Sequence, residues 1–160
     1  MRPFKVCLFV GFFFLFLSCF ASASAAPNWV WVFSSDTTSY YLDTAHDYVH
    51  DDGSYFYAIK EVYADDNRRI SVANSFARKD SSHDFSNFGY GIATYLSYAS
   101  IDSPTIVRRF LHFYCYNADG TFITNFREKR PIVYHPIRHG SVDEIIDLKA
   151  RSWAVYRPSN

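Results

Sequence analysis

The chain has 160 residues, 16 Lys and Arg against 16 Asp and Glu, and a fifth of its side chains are aromatic. Near-neutrality with interspersed signs argues against nucleic acid or an anionic membrane as the main partner, because both call for a basic face. One domain is the natural count, large enough to bury a core without disulfides or metals as staples.

In chain order, the first feature is a leader. Arg2 and Lys5 form a basic start, Val6 to Leu17 is an almost unbroken apolar run, and Ala21-Ser22-Ala23-Ser24-Ala25 supplies small residues. This three-part pattern predicts a secretory signal peptide over residues 1–25, cleaved after Ala25. Two alternatives are weaker. Phe16-Leu17-Ser18-Cys19 is a loose lipobox with Phe where Leu is usual. An uncleaved anchor would need about 20 apolar residues, more than the run offers. Cleavage leaves residues 26–160 as a single globular α+β domain with a formal charge of about −2. It also removes Cys7 and Cys19, so Cys115 stays alone, either buried and inert or paired between chains.

Asn28 to Phe33 reads as a strand with Trp29, Trp31 and Phe33 on one side and Val30 and Val32 on the other. Ser34-Ser35-Asp36 turns the chain into a short strand, Tyr40 to Asp43. Tyr48 to His50 and Ser54 to Tyr63 flank Asp51-Asp52-Gly53, a strong hairpin signal. Both sides of the longer arm are apolar, with Tyr55, Tyr57, Ile59 and Tyr63 alternating with Phe56, Ala58 and Val62. A central strand is expected, covered on both faces or held in a tightly curled sheet.

Residues 64–104 read as a variable or inserted region. Ile70, Ala73, Phe76 and Ala77 have helical spacing, Ile92 to Tyr98 fits either period, and Lys79 to Asp84 is a polar loop between them. The most legible stretch runs from Thr105 to Ile146. It predicts a long strand with Val107, Leu111, Phe113 and Cys115 on the more apolar face and Arg108, Phe110, His112, Tyr114 and Tyr116 on the other. A turn at Asn117-Ala118-Asp119-Gly120 and a returning strand, Thr121 to Phe126, follow. Pro131 and Pro136 bound a loop, and Ser141-Val142-Asp143-Glu144 is a capping box opening a helix with a buried stripe of Val142, Ile145 and Ile146. The fold class expected is α+β: an antiparallel sheet of about five or six strands, strongly curled, with a C-terminal α-helix packed on one face.

These landmarks resemble a family. Trp29 with Tyr40-Tyr41-Leu42-Asp43, then Asn117 to Gly120, then Pro136-Ile137-Arg138-His139-Gly140-Ser141 leading to Glu144 and Ile145, follow the order seen in surface-adhesin E-like proteins. The resemblance implies a small exported bacterial domain at the envelope or cell surface, in some members adhesive to host matrix and plasma proteins. It brings no catalytic residues. Two positions depart from the family's cysteine pattern, Ser103 and the neighbourhood of Arg151 and Ser152, so Cys115 is not the family cysteine. The tryptophan of the family's final loop is replaced by Tyr134 or His135.

The residues that could carry chemistry have simpler accounts. His46 and His50, four apart around Asp47, lie in a strand-to-turn segment with no third zinc ligand indicated. His135 and His139 straddle Pro136, which opposes a helix. Cys115 and His112 are three apart on a strand and so point to opposite faces. Gly89-Tyr90-Gly91 lacks the rest of a dinucleotide loop. Asp43, Glu61, Asp84 and Asp143 are scattered carboxylates, among which a glycosidase pair is neither excluded nor located. Tyr90, Tyr95 and Tyr98 read either as a sticky patch or as sheet-face residues.

The expectation is therefore a non-catalytic exported envelope or surface domain, with no catalytic, metal or cofactor-binding residues and no cofactor. Its loops and one sheet face would contact a protein partner in the periplasm, at the surface or outside the cell. The alternatives are a small secreted hydrolase with a His-carboxylate site in the 64–104 region, which a deep cleft joining His83 or His112 to a carboxylate would favour, and a structural periplasmic subunit that oligomerises, for instance as a homodimer.

Overall fold

The computed structural model describes residues 25–99, 105–128 and 132–156. The leader with Cys7 and Cys19 (apart from Ala25), Ser103 and Pro131 lie outside the described residues.

Six strands form the body of one antiparallel sheet: β1 (Trp29–Ser34), β2 (Thr38–Asp43), β4 (Tyr55–Tyr63), β5 (Phe88–Ala99), β6 (Ile106–Asn117) and β7 (Phe122–Arg127), side by side in that order. Three two-residue strands attach to them. β3 (Tyr48–Val49) pairs with β4, β8 (His135–Pro136) continues along β6 beyond β7, and β9 (Val155–Tyr156) runs parallel to β3. The hairpin turns form as their glycines predict. Gly53 and Gly120 both adopt positive φ, at 77° and 90°, and the Gly120 N–H closes on the Asn117 carbonyl at 3.0 Å.

Residues 64–99 supply a helix and a central strand. Helix α1 (Asp66–Lys79) starts where the Asp65 carboxylate accepts the Asn67 N–H at 2.7 Å. Asp66 sits in its first turn and Arg78 and Lys79 in its last, each sign matching the helix dipole. Ala73, Phe76 and Ala77 face the sheet. The segment Ile92 to Tyr98, ambiguous in period, is part of β5 because that strand lies between β4 and β6, pairing with β4 over Tyr90 to Ser97 and with β6 over Phe88 to Ala99.

Helix α2 (Val142–Trp153) opens on the expected Ser141 cap, whose Oγ accepts the Glu144 N–H at 3.2 Å. Glu144 reaches one residue further back than the motif predicts, accepting from Gly140 N–H at 2.7 Å and contacting His139. The buried stripe is Val142, Ile146 and Ala150, each four residues apart; Ile145 is 38% exposed, because 3.6-residue geometry turns it off that line.

Both helices lie on the same face of the sheet. α2 covers Val32, Leu42, Tyr57 and Ile59, while α1 covers Tyr63, Phe88, Phe113, Cys115 and Phe126. The expected strong curl is not found. The sheet is open, with β1 and β7 as its two ends, and the second apolar face of β4, which motivated the curl, is left uncovered by any described element. Two bulges also redirect side chains that simple alternation assigns elsewhere. One between Trp31 and Phe33 sends Phe33 to the core. Another leaves Leu111 unpaired, so Phe110 and Arg108 share a face with Phe113 and Cys115.

The covered face also holds charge. Asp147 is fully buried on α2 and pairs with Arg151 at 2.6 Å; Arg151 donates to Ser97 Oγ at 3.1 Å and lies 4.2 Å over the Tyr55 ring. Arg108 sits 4.5 Å over Tyr95 and pairs with Asp143 at 2.7 Å. These contacts tie α2 to the strands at fixed points that apolar packing alone would not specify. Among the described residues no helix is long and apolar enough to cross a membrane.

Candidate interaction surface

Alternate residues of the same six strands build the uncovered face. Register fixes who stands beside whom: Trp31, Tyr41, Lys60, Ile92, Tyr114 and Asn125 form one row from β1 to β7. The adjacent row runs Ser39, Val62, Tyr90, Tyr116 and Phe122. At a strand spacing of about 4.8 Å, the distance from Trp31 to the β7 end is about 24 Å. The largest exposures fall at the two ends, 58% for Trp31 and 50% for Phe122, whereas the side chains between them are half-buried against one another.

The rings in the second row are packed edge-up. Tyr90 and Tyr116 stack at 5.0 Å and 9°, a separation equal to the strand spacing, so their planes stand upright on the sheet. Phe122 meets Tyr116 at 5.7 Å and 68°, and the Lys60 ammonium covers the other face of Tyr90 at 4.2 Å. Trp31 is held by its indole N–H, which donates to Ser34 Oγ at 3.0 Å; Ser34 in turn bonds Ser39 at 2.8 Å.

The charges on this face are mostly cationic. Lys60, Arg109, His112 and Arg127 occupy strand positions on it, and the sole strand carboxylate there, Asp43, is buried at its margin. Asp43 accepts from the N–H groups of Asn28 (2.9 Å) and Ala45 (3.1 Å) and from His46 (2.6 Å), so it belongs to a turn. Arg109 pairs with Glu128 at 2.6 Å. Among the described residues Lys60 and Arg127 have no carboxylate partner. Arg127 donates to His112 Nε2 at 3.1 Å, and burial together with that nearby cation pushes the His112 pKa down.

The histidine and cysteine candidates are dispersed. His46 joins Asp43, His50 packs edge-on against Tyr48, His139 meets Glu144 at 2.9 Å, and His135 lies in β8. No group of three ligating side chains capable of holding a metal occurs among the described residues. Cys115 is buried beneath α1, opposite His112, and burial pushes its thiol up to about 12. His83 does meet a carboxylate, Asp80 at 2.8 Å, with Ser82 Oγ at 3.0 Å, but both approach the same ring nitrogen on an exposed turn. A proton relay needs hydroxyl and carboxylate on opposite nitrogens.

Of the carboxylates, Asp84 is exposed in a loop, and Glu61 lies between the helices, its pKa raised by burial. Tyr63 donates to Glu61 at 3.1 Å, and Arg68, Arg108 and Asp143 act on it electrostatically. A groove of about 890 Å³ opens where β7 gives way to β8, walled by Phe76, Phe110, Phe113 and Phe126. Its two rim carboxylates are committed elsewhere, Asp80 to Ser82 and His83, and Glu128 to Arg109.

Of the tyrosines read as a patch, Tyr90 and Tyr98 are on the open face, and Tyr95 is under α2, stacked on Tyr57. Sequence reading did not single out Trp31, Tyr41, Lys60 or Phe122 as a surface. The available signal was the two-sided apolarity of β4. The chain matches no family model, no curated protein and no solved structure.

Proposed function

We propose that the chain is a non-catalytic, exported envelope or cell-surface binding domain that holds a protein partner on its open sheet face. One observation carries this reading: both helices pack on the same side of a six-stranded sheet, leaving a broad aromatic surface outside. Large exposed apolar surface is rare on monomers without an interaction role. Tyr and Trp also supply contact area at low entropic cost, which enriches them at interfaces. An envelope or surface location is what the resemblance to surface-adhesin E-like proteins implies, with adhesion to host proteins a property of some members of that family.

The test is comparative. The mature 26–160 protein and its Trp31→Ala and Phe122→Ala variants are immobilised and offered envelope extracts and extracellular-matrix proteins. A partner retained by the wild type and lost from both variants, with melting temperatures shifted by no more than a few degrees, is the expected result. Partners retained equally by all three would remove the open face from consideration.

A further inference from the structure

Resting on that reading, we infer that the partner of the open face is an acidic protein segment, seated across the strands with carboxylates at Lys60 and Arg127 and apolar side chains at Trp31 and Phe122. Charge complementarity is the first ground. The strand positions of the open face carry lysine, arginine and histidine but no free carboxylate, since Asp43 is consumed by its turn. Lys60 and Arg127 lack an internal counter-ion among the described residues, although the chain as a whole is neutral.

The second ground is the orientation of the rings. An aromatic ring is electron-rich on its faces and electropositive at its edge. Along the row Tyr90, Tyr116, Phe122, the Lys60 ammonium from the adjacent row or a neighbouring ring occupies the faces of Tyr90 and Tyr116. These two tyrosines therefore offer the partner edges and phenol O–H groups, and both favour a carboxylate.

The same orientation disfavours other occupants. Nucleobases and sugar rings bind by lying on ring faces, which this row does not present. A second copy of the chain would set two faces that each carry Lys60 and Arg127 without carboxylate partners against one another, a like-charge juxtaposition. A span of about 24 Å matches about seven residues of extended chain, so a short linear segment is long enough to engage both ends.

The experiment is selection from a random dodecapeptide display library on the immobilised mature 26–160 protein, followed by affinity measurement of synthesised winners. The expected winners are enriched in Asp and Glu over the input library and carry at least one large apolar residue. Their affinity should fall at least about tenfold in Lys60→Glu and in Arg127→Glu, and by a similar factor in Trp31→Ala. It should also weaken from low to high salt. Lys60→Met, which keeps the stem and removes the charge, guards against a packing artefact and should weaken acidic winners as well.

Winners without acidic enrichment that depend on Trp31 but not on Lys60 or Arg127 overturn the acidic assignment and leave the binding-face reading standing. Winners indifferent to every face variant, or no winners at all, overturn both. Binding of oligodeoxythymidine or a neutral polysaccharide lost in Trp31→Ala assigns the face to another class of macromolecule. A dimer by light scattering that dissociates in Phe122→Ala assigns it to a second copy.

Discussion

Tyr41 and Leu42 are neighbours in sequence and belong to opposite surfaces. Leu42 is fully buried under α2; Tyr41 stands half-exposed beside Trp31 and Lys60 on a face that no described element covers. The same division runs through all six strands, so one backbone scaffold supports a core and an aromatic face that no described element covers. The covered face is closed by helices, whereas the rings of the open face shield one another and stay available at the two ends. Two apolar sides on a strand thus need not mean two covers.

The contrast predicts unequal sensitivity to substitution. Leu42→Ala should be the most costly change, about 3 kcal/mol of stability by urea unfolding, because it leaves a cavity among Val32, Tyr57 and Ile146. A loss below about 1 kcal/mol would mean that the covered face repacks freely and is no true core. Gly91→Ala should cost about 2 kcal/mol, since its new methyl would run into the Phe113 ring lying across that position on the covered face. Phe113→Leu combined with Gly91→Ala should recover part of the loss in the same assay.

Asp47 tests the buried side through pH. It is almost fully buried in the turn before β3 and its oxygens lack a well-formed hydrogen bond, although the Ala58 backbone gives weak support. Burial, with a smaller contribution from Asp43, pushes its pKa up to about 7 from the ordinary 3.8. The folded state then holds a proton that the unfolded state has released, so the contribution of Asp47 to stability is greatest below about pH 4 and declines as pH rises to about 7. Asp47→Asn should leave stability unchanged at pH 3.5 and raise it by about 1–2 kcal/mol at pH 8, measured by urea titration at both values. Equal stability of variant and wild type at pH 8 would contradict a buried, reluctantly ionised Asp47.

The smallest effect on folding belongs to the open face. Trp31→Ala and Phe122→Ala should each change stability by no more than about 0.5–1 kcal/mol while changing partner retention strongly. A stability loss as large as that of Leu42→Ala would show the two faces to be equivalent structurally.

Much of the fold was legible because its signals are local. Gly53 and Gly120 mark turns that need positive φ, Ser141 and Glu144 mark a helix start, and Ala73, Phe76 and Ala77 mark one helical side. The site was less legible because it depends on register and on bulges. A single unpaired Leu111 reverses the faces of the first half of β6, and alternation alone assigned Phe110 and Arg108 to the wrong side. The open face was foreshadowed only by β4, and nothing local shows that both helices choose the same side. Strand period did predict the burial of Cys115, since no bulge separates it from Phe113.

That thiol offers a gauge for α1. Cys115 lies beneath the helix and is kept protonated, so an alkylating reagent reaches it only when the structure opens locally. If α1 lifts from the sheet as a unit, the labelling rate reports the free energy of that opening separately from global unfolding. With no other cysteine in residues 26–160, the signal comes from one place. A single sulfur thus makes the docking of α1 on the sheet measurable within residues 26–160.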